Sequence, residues 1–267
     1  MTKKRIFTGA CLSVILTLFI IFSEYDFIIN ILASILGAFS VYEIVKVCNK
    51  LEDEKLLVCL MMISILFPFA PIRNYILLLA ISLILYLFFF ILLLKNKNIS
   101  KFLIIIICLL ITILYKSIPE FMKLTNGKIY LIISLLIVAF TDIFALLIGK
   151  KFGNKPLVPT ISPKKTIEGS IGGTICSVLI VIIISIFLEK FFGYGIVYWK
   201  ELIACIIVSL GGQLGDIILS LFKRKCNCKD FSNLLPGHGG ILDRFDSTLM
   251  GIPLMYLLIL CKLNFIV

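Results

Sequence analysis

The sequence predicts an all-α, polytopic integral membrane bundle of about nine transmembrane helices. Hydrophobic residues make up 61% of the 267, charged residues only 15%, and mean hydropathy is +1.14. A soluble domain is near one half apolar and one quarter charged. Apolar runs long enough to cross about 30 Å of hydrocarbon recur along the whole chain. Alternating ten-residue segments, the mark of a lipid-facing barrel, are absent.

Taken in order, the predicted spans are 5–22, 26–47, 55–71, 74–94, 101–116, 128–149, 169–188, 199–222 and 246–265. The first follows Lys3, Lys4 and Arg5. A signal peptide shares that pattern, but no small-residue cleavage site follows, so the run reads as a first span. The third and fifth are short, as tilted or re-entrant pieces would be. We divide the chain into residues 1–125, a scaffold of helices that leaves a homodimer interface open, and 126–267, a region with two basic cytoplasmic loops.

Orientation follows from the basic residues. With the N-terminus in the cytoplasm, nineteen of the 26 Lys and Arg residues fall on that side. The opposite side holds Arg73, Lys116, Lys123, Lys128, Lys190, Lys200 and Lys262. The net charge of +11 then reflects loops beside anionic lipid rather than nucleic-acid binding. Most of the nine cysteines lie in spans; Cys226 and Cys228 form a C-x-C in a basic loop. His238 is the only histidine, so a zinc site lacks ligands and reduced thiols are expected.

Two carboxylates, Asp142 and Asp216, fall inside apolar spans, where an ionised acid costs several kcal/mol unless paired, hydrated or metal-bound. The bland alternative is a structural helix–helix hydrogen bond. Ser209, Gln213, Asp216 and Ser220 share one helical face, and Gly211, Gly212 and Gly215 admit a close neighbour. Glu43 either pairs with Lys46, reaches the interface or has a function.

The stretch from Ser220 to Asp246 joins this polar face to a basic loop, a Pro236–Gly240 turn and a helix that opens with Asp243 and Asp246. Gly239 and Gly240 bring backbone amides close to a ligand. Asp243 and Asp246 are three apart and share a helix face. Hard oxygen donors of this kind suit Mg²⁺, although a helix cap with surface aspartates has the same spacing.

This stretch resembles the signature of phosphatidate cytidylyltransferases (CDP-diacylglycerol synthases). The pattern is filled by Ser220, Lys223-Arg224, Lys229-Asp230, Pro236, His238-Gly239-Gly240, Asp243-Arg244 and Asp246, with no departure. A second stretch, Thr141 to Gly153 followed by Ser162 to Gly169, is similar to the family's other loop, with Phe144 where Tyr is common. The resemblance implies that CTP and phosphatidic acid give CDP-diacylglycerol and pyrophosphate at the cytoplasmic face of a bacterial or organellar membrane. It implies Asp216, Asp243 and Asp246 as ligands of Mg²⁺, with a second cation, K⁺ among the candidates. Arg244 and Lys229 join these as catalytic candidates. Lys223, Arg224, Lys229 and Arg244 are candidates for phosphate contacts, or are positive-inside anchors. Ser162, Lys165 and Thr166 fall on the nucleotide side, and Ser220, Gly239 and Gly240 with the substrates. Asp142 is expected to orient a base or a water. A phosphate monoester is already largely ionised near neutral pH, so His238 is expected to bind phosphate or support the turn rather than act as a base. The rival readings are a CTP-dependent polyprenol or phytol kinase, a CDP-archaeol synthase and, from another class, a cation transporter.

Overall fold

The computed structural model describes residues 26–48, 54–95, 99–235 and 239–266. The predicted span 5–22 and His238 lie outside the described residues. The chain groups into two compact units: residues up to Lys128 together with Leu221–Asp246, and Ile129–Ser220 together with Ser247 onward.

The first unit begins with α1 (Asp26–Cys48), α2 (Glu54–Leu66), a 3₁₀ turn (Phe67–Phe69), α3 (Tyr75–Lys95), α4 (Lys101–Tyr115) and α5 (Ser117–Phe121). α2 is short and stops where Pro68 removes a backbone donor. Lys116, the last residue of its predicted span and counted on the side opposite the cytoplasm, is 1% exposed. Its ammonium donates to the carbonyls of Pro68 at 2.9 Å and Ala70 at 2.7 Å, with Glu120 at 3.4 Å. It thus satisfies carbonyls that the 3₁₀ turn leaves open. Ser34 Oγ donates to the Ile65 carbonyl, Tyr115 pairs with Ser40, and Ser100 caps α4 through the Leu103 amide. The polar groups of these apolar helices are thereby used to join one to another.

The second unit holds most of α6 (Gly127–Phe152), the strands β1 (Pro156–Val158) and β2 (Ser162–Thr166), α7 (Ile167–Phe192) and α8 (Tyr198–Lys225) up to Ser220. It ends with α10 (Thr248–Leu258) and a π-helical turn (Ile259–Leu263). α6 and α7 meet along a seam of small residues. A Cβ on Gly169 would lie 2.6 Å from the Ala145 carbonyl oxygen and 3.1 Å from the Gly149 Cα; one on Gly173 would lie 2.7 Å from the Thr141 carbonyl oxygen. Gly169 and Gly173 are four apart, as are Ala145 and Gly149, so two small-residue faces oppose each other as membrane helices favour. Gly212 and Gly251 play the same part for Ser247 and Val138, in keeping with the close approach expected at Gly212.

Six helices among the described residues are long and apolar enough to cross a membrane, and the chain is an all-α polytopic membrane protein. Two local features differ from expectation. An antiparallel hairpin, β1 against β2, joins α6 to α7; Pro156, Pro159 and Pro163 withhold donors and favour extended backbone before them. α8 runs on to Lys225, so Lys223 and Arg224 belong to its last turn rather than to a loop. Cations there complement the C-terminal carbonyls. Asn227, at φ 57°, ends the helix, and the Cys228 amide turns back to the Lys223 carbonyl at 3.0 Å.

Candidate active site

The second unit contains a cavity of about 420 Å³, within the range of small-molecule sites. Each of its walls follows from the local sequence. α6 places Asp142, Ala145, Leu146, Gly149 and Lys150 along one side. The hairpin delivers Lys164, Lys165 and Thr166, and α7 adds Ser170 one turn later. Gln213, Asp216 and Ile217 come from α8. Thr166 is also the N-cap of α7, its hydroxyl accepting from the Gly169 amide at 3.1 Å. Lys165 and Asp216, assigned from the sequence to different tasks, form an ion pair. The other Asp216 oxygen accepts from Ser220 Oγ at 3.0 Å.

Beneath the cavity runs a polar chain. Ser170 Oγ donates to Gln213 Oε1, and Gln213 Nε2 donates to Thr174 Oγ1 at 3.0 Å. Thr174 and Thr141 each meet Ser209 Oγ at 2.9 Å. The chain fixes the amide plane of Gln213 and holds α6, α7 and α8 in one register, because a broken bond in an apolar layer leaves its partner unsatisfied. Ser209 and Gln213 were legible as a polar stripe. Ser170 and Thr174 were missed, although their fourfold spacing along α7 was the available signal.

Three lysines and two carboxylates therefore face one space with Leu146, Leu157 and Ile217. The lysines suit an anion of several charges; the apolar side chains suit a group that stays out of water. Asp142 and Asp216 supply hard oxygen to a single cavity, and the chemistry of that donor set fits a divalent cation. Of the carboxylates expected to share a cavity, Asp216 lines this one. Asp243 and Asp246 belong to the first unit. Ser162 starts β2 half-buried, outside the cavity lining.

In the first unit the signature continues from the last turn of α8 through a loop to α9 (Leu242–Phe245). Asp243 faces its own loop there. Its Oδ1 accepts from Lys223 Nζ at 2.7 Å, and its Oδ2 accepts from the Phe231 and Gly240 amides, both at 2.8 Å. Its side chain is 4% exposed. Lys223, expected at a phosphate, is buried with it and lies 5.2 Å from the centre of the Phe231 ring. The two residues close the loop on itself. Gly239 takes φ +84°, a left-handed conformation that explains the glycine. Arg224 is exposed and donates to the Cys228 carbonyl at 3.3 Å. Lys229 and Arg244 are exposed, and Asp246 is half-buried. Backbone angles remain right-handed helical from Ile241 through Ser247, which keeps Asp243 and Asp246 one turn apart.

Among the described cysteines no disulfide is present, although Cys48 and Cys226 bring their sulfurs to 3.0 Å. Burial pushes the Cys228 thiol up to about 11, which suits a reduced, unreactive side chain.

The sequence pattern of the Cytidylyltransferase family matches residues 3–262. Among curated proteins, the phosphatidate cytidylyltransferase of Staphylococcus saprophyticus is 43% identical over 136 residues, which is 51% of this chain and 51% of that protein. The phosphatidate cytidylyltransferase of Staphylococcus haemolyticus gives the same figures. That of Staphylococcus aureus is 44% identical over 136 residues, again 51% of each chain. The chain spans about half the length of the curated relatives it matches.

Proposed function

The chain belongs to the cytidylyltransferase family, and from that premise we propose that it converts CTP and phosphatidic acid into CDP-diacylglycerol and pyrophosphate. The observation that carries this reading is the cavity in which Lys150, Lys164 and Lys165 face Asp142 and Asp216 beside an apolar wall. A charged nucleotide and a lipid headgroup need both kinds of surface. The relatives' names supply the reaction class.

In the proposed step a phosphate oxygen of phosphatidic acid attacks the α-phosphorus of CTP. The bond from that phosphorus to the β-phosphate bridging oxygen breaks, and pyrophosphate leaves with the electron pair. Such a transfer asks a protein for positioning and charge neutralisation more than for covalent chemistry. Lys164 and Lys165, on the hairpin, take the triphosphate. Lys165 exchanges Asp216 for phosphate oxygen as the nucleotide enters, so occupancy of the cavity releases the Asp216 carboxylate. Gln213, held in orientation by Ser170 and Thr174, offers a fixed amide edge to a polar group of the substrate. The exposed Arg224, Lys229 and Arg244 are proposed as further phosphate contacts. No general base is required, because the attacking phosphate is ionised near neutral pH.

Mg²⁺ is the proposed cofactor, to be held through Asp216 with Asp142 on the same cavity; a K⁺ ion is the proposed second cation. When bound, such cations neutralise charge on the nucleophile and on the departing pyrophosphate. We place the reaction at the cytoplasmic face, where the positive-inside bias puts the lysine-bearing loops.

The test is transfer of label from CTP carrying ³²P at the α-phosphate to lipid, by purified protein in detergent with phosphatidic acid and Mg²⁺. Labelled CDP-diacylglycerol, lost with EDTA, is the expected outcome. Transfer of the γ-phosphate to a polyprenol or phytol would replace this reading with a lipid kinase. Absence of turnover with any lipid acceptor would restore the transporter.

A further inference from the structure

Glu43 lies on α1, far in sequence from every signature residue, and is fully buried at 0% exposure. It does not pair with Lys46, whose ammonium donates instead to Tyr42 at 3.0 Å. Its carboxylate faces the signature loop. Oε1 accepts from Ser232 Oγ at 2.6 Å and from the Ile241 amide at 2.8 Å; Oε2 accepts from the Leu242 amide at 2.8 Å. A buried acid is tolerable when such donors satisfy it. The carboxylate also passes close to Gly240. A Cβ there would lie 2.5 to 2.7 Å from the three carboxyl atoms of Glu43, so the second glycine of the signature is the space that Glu43 needs.

The amides that Glu43 holds are those of the two residues directly before Asp243. Asp243 in turn holds the Phe231 and Gly240 amides. The two carboxylates interlock, one from α1 and one from within the loop, and Arg244 and Asp246 follow at once in the chain. We infer that Glu43 is a positioning residue for the reaction, its carboxylate setting the backbone from Gly240 to Leu242 and so the direction in which Arg244 and Asp246 are presented; this rests on the proposed cytidylyl transfer. Loss of the carboxylate leaves two amides and a hydroxyl without that acceptor in a largely buried place, and the backbone turns to find others.

The experiment compares wild type, Glu43→Gln, Glu43→Asp and Ser232→Ala, purified in detergent. It reads kcat, KM for CTP and for phosphatidic acid, the Mg²⁺ dependence and thermal unfolding. Glu43→Gln is expected to lower kcat about 10- to 100-fold, the range seen for groups that orient reacting residues from behind. KM for CTP stays within about threefold, and Glu43→Asp recovers part of the loss. Ser232→Ala, which removes one donor of three, costs about three- to tenfold in kcat and decides the matter if Glu43→Gln fails to fold. Unchanged kcat in the folded variants would overturn the inference, as would a loss that merely tracks the folded fraction. Absence of cytidylyl transfer in the wild type is a different result: it overturns the reading beneath, and the inference with it.

Discussion

The cavity of the second unit and the signature loop of the first are built from the same materials, carboxylates, lysines and glycines, and use them in opposite directions. In the cavity, Asp142 and Asp216 line open space, and Asp216 is answered by a single ammonium, Lys165. In the loop, Glu43 and Asp243 face backbone. Together they accept from the amides of Phe231, Gly240, Ile241 and Leu242, from Ser232 and from Lys223. The glycines divide the same way. Gly169 and Gly173 bring two helices together, whereas Gly240 makes room for a side chain. An acid that faces a cavity is available to a ligand, and an acid saturated by amides is framework. Spacing in a motif does not distinguish them; the partner groups do.

The comparison can be broken most directly at its two central acids. Asp216→Asn should lower cytidylyl transfer by at least about 100-fold, the scale for removing a charge aimed at a reacting centre, with little change in thermal unfolding. Asp243→Asn should instead show first in stability. It weakens an acceptor of two amides and a buried ammonium, a loss of about 2–4 kcal/mol read from the unfolding midpoint. If Asp216→Asn unfolds the protein while Asp243→Asn leaves it as stable as wild type, the two regions have been assigned the wrong way round. Gly173→Leu tests the seam between α6 and α7; overpacking should cost about 1–3 kcal/mol, seen as a lower midpoint in detergent. The smallest effect concerns Cys228. With its thiol near 11, about one molecule in a thousand carries the reactive thiolate at pH 8, and peptide mapping should show alkylation rising about tenfold per pH unit up to pH 10. Fast alkylation at pH 8 would mean that the loop is more open than its contacts imply.

Much of this was legible in the sequence. Apolar length pointed to the six long helices among the described residues, because hydrocarbon thickness sets a minimum run that few other structures need. Acids within those runs singled out Asp142 and Asp216, because a charge in lipid demands a reason, and both line the cavity. The hairpin was not legible, since Ser162–Thr166 is a polar loop by composition and becomes a strand only by pairing with Pro156–Val158. Ser170 and Thr174 were hidden in an apolar helix, where a hydroxyl satisfied by its own turn looks the same as one that reaches a neighbour. Asp243 carried the right spacing for a ligand; its three donors, two of them backbone amides, carry no sequence signal. Glu43 was visible only as an acid near a helix end, because its partners lie 189 to 199 positions away.

That separation has a consequence for how the molecule is made. At a synthesis rate of roughly 5 to 20 residues per second, the Ile241 amide, 198 positions later, emerges about 10 to 40 s after Glu43. For that interval α1 holds an acid with none of the donors that later satisfy it. Hydrocarbon does not tolerate such a group ionised. The nascent helix must therefore carry it protonated, keep it at the watery edge of the bilayer or shelter it against the insertion machinery. Residues 232 to 242 thus complete α1, and the carboxylate settles only once they have been made.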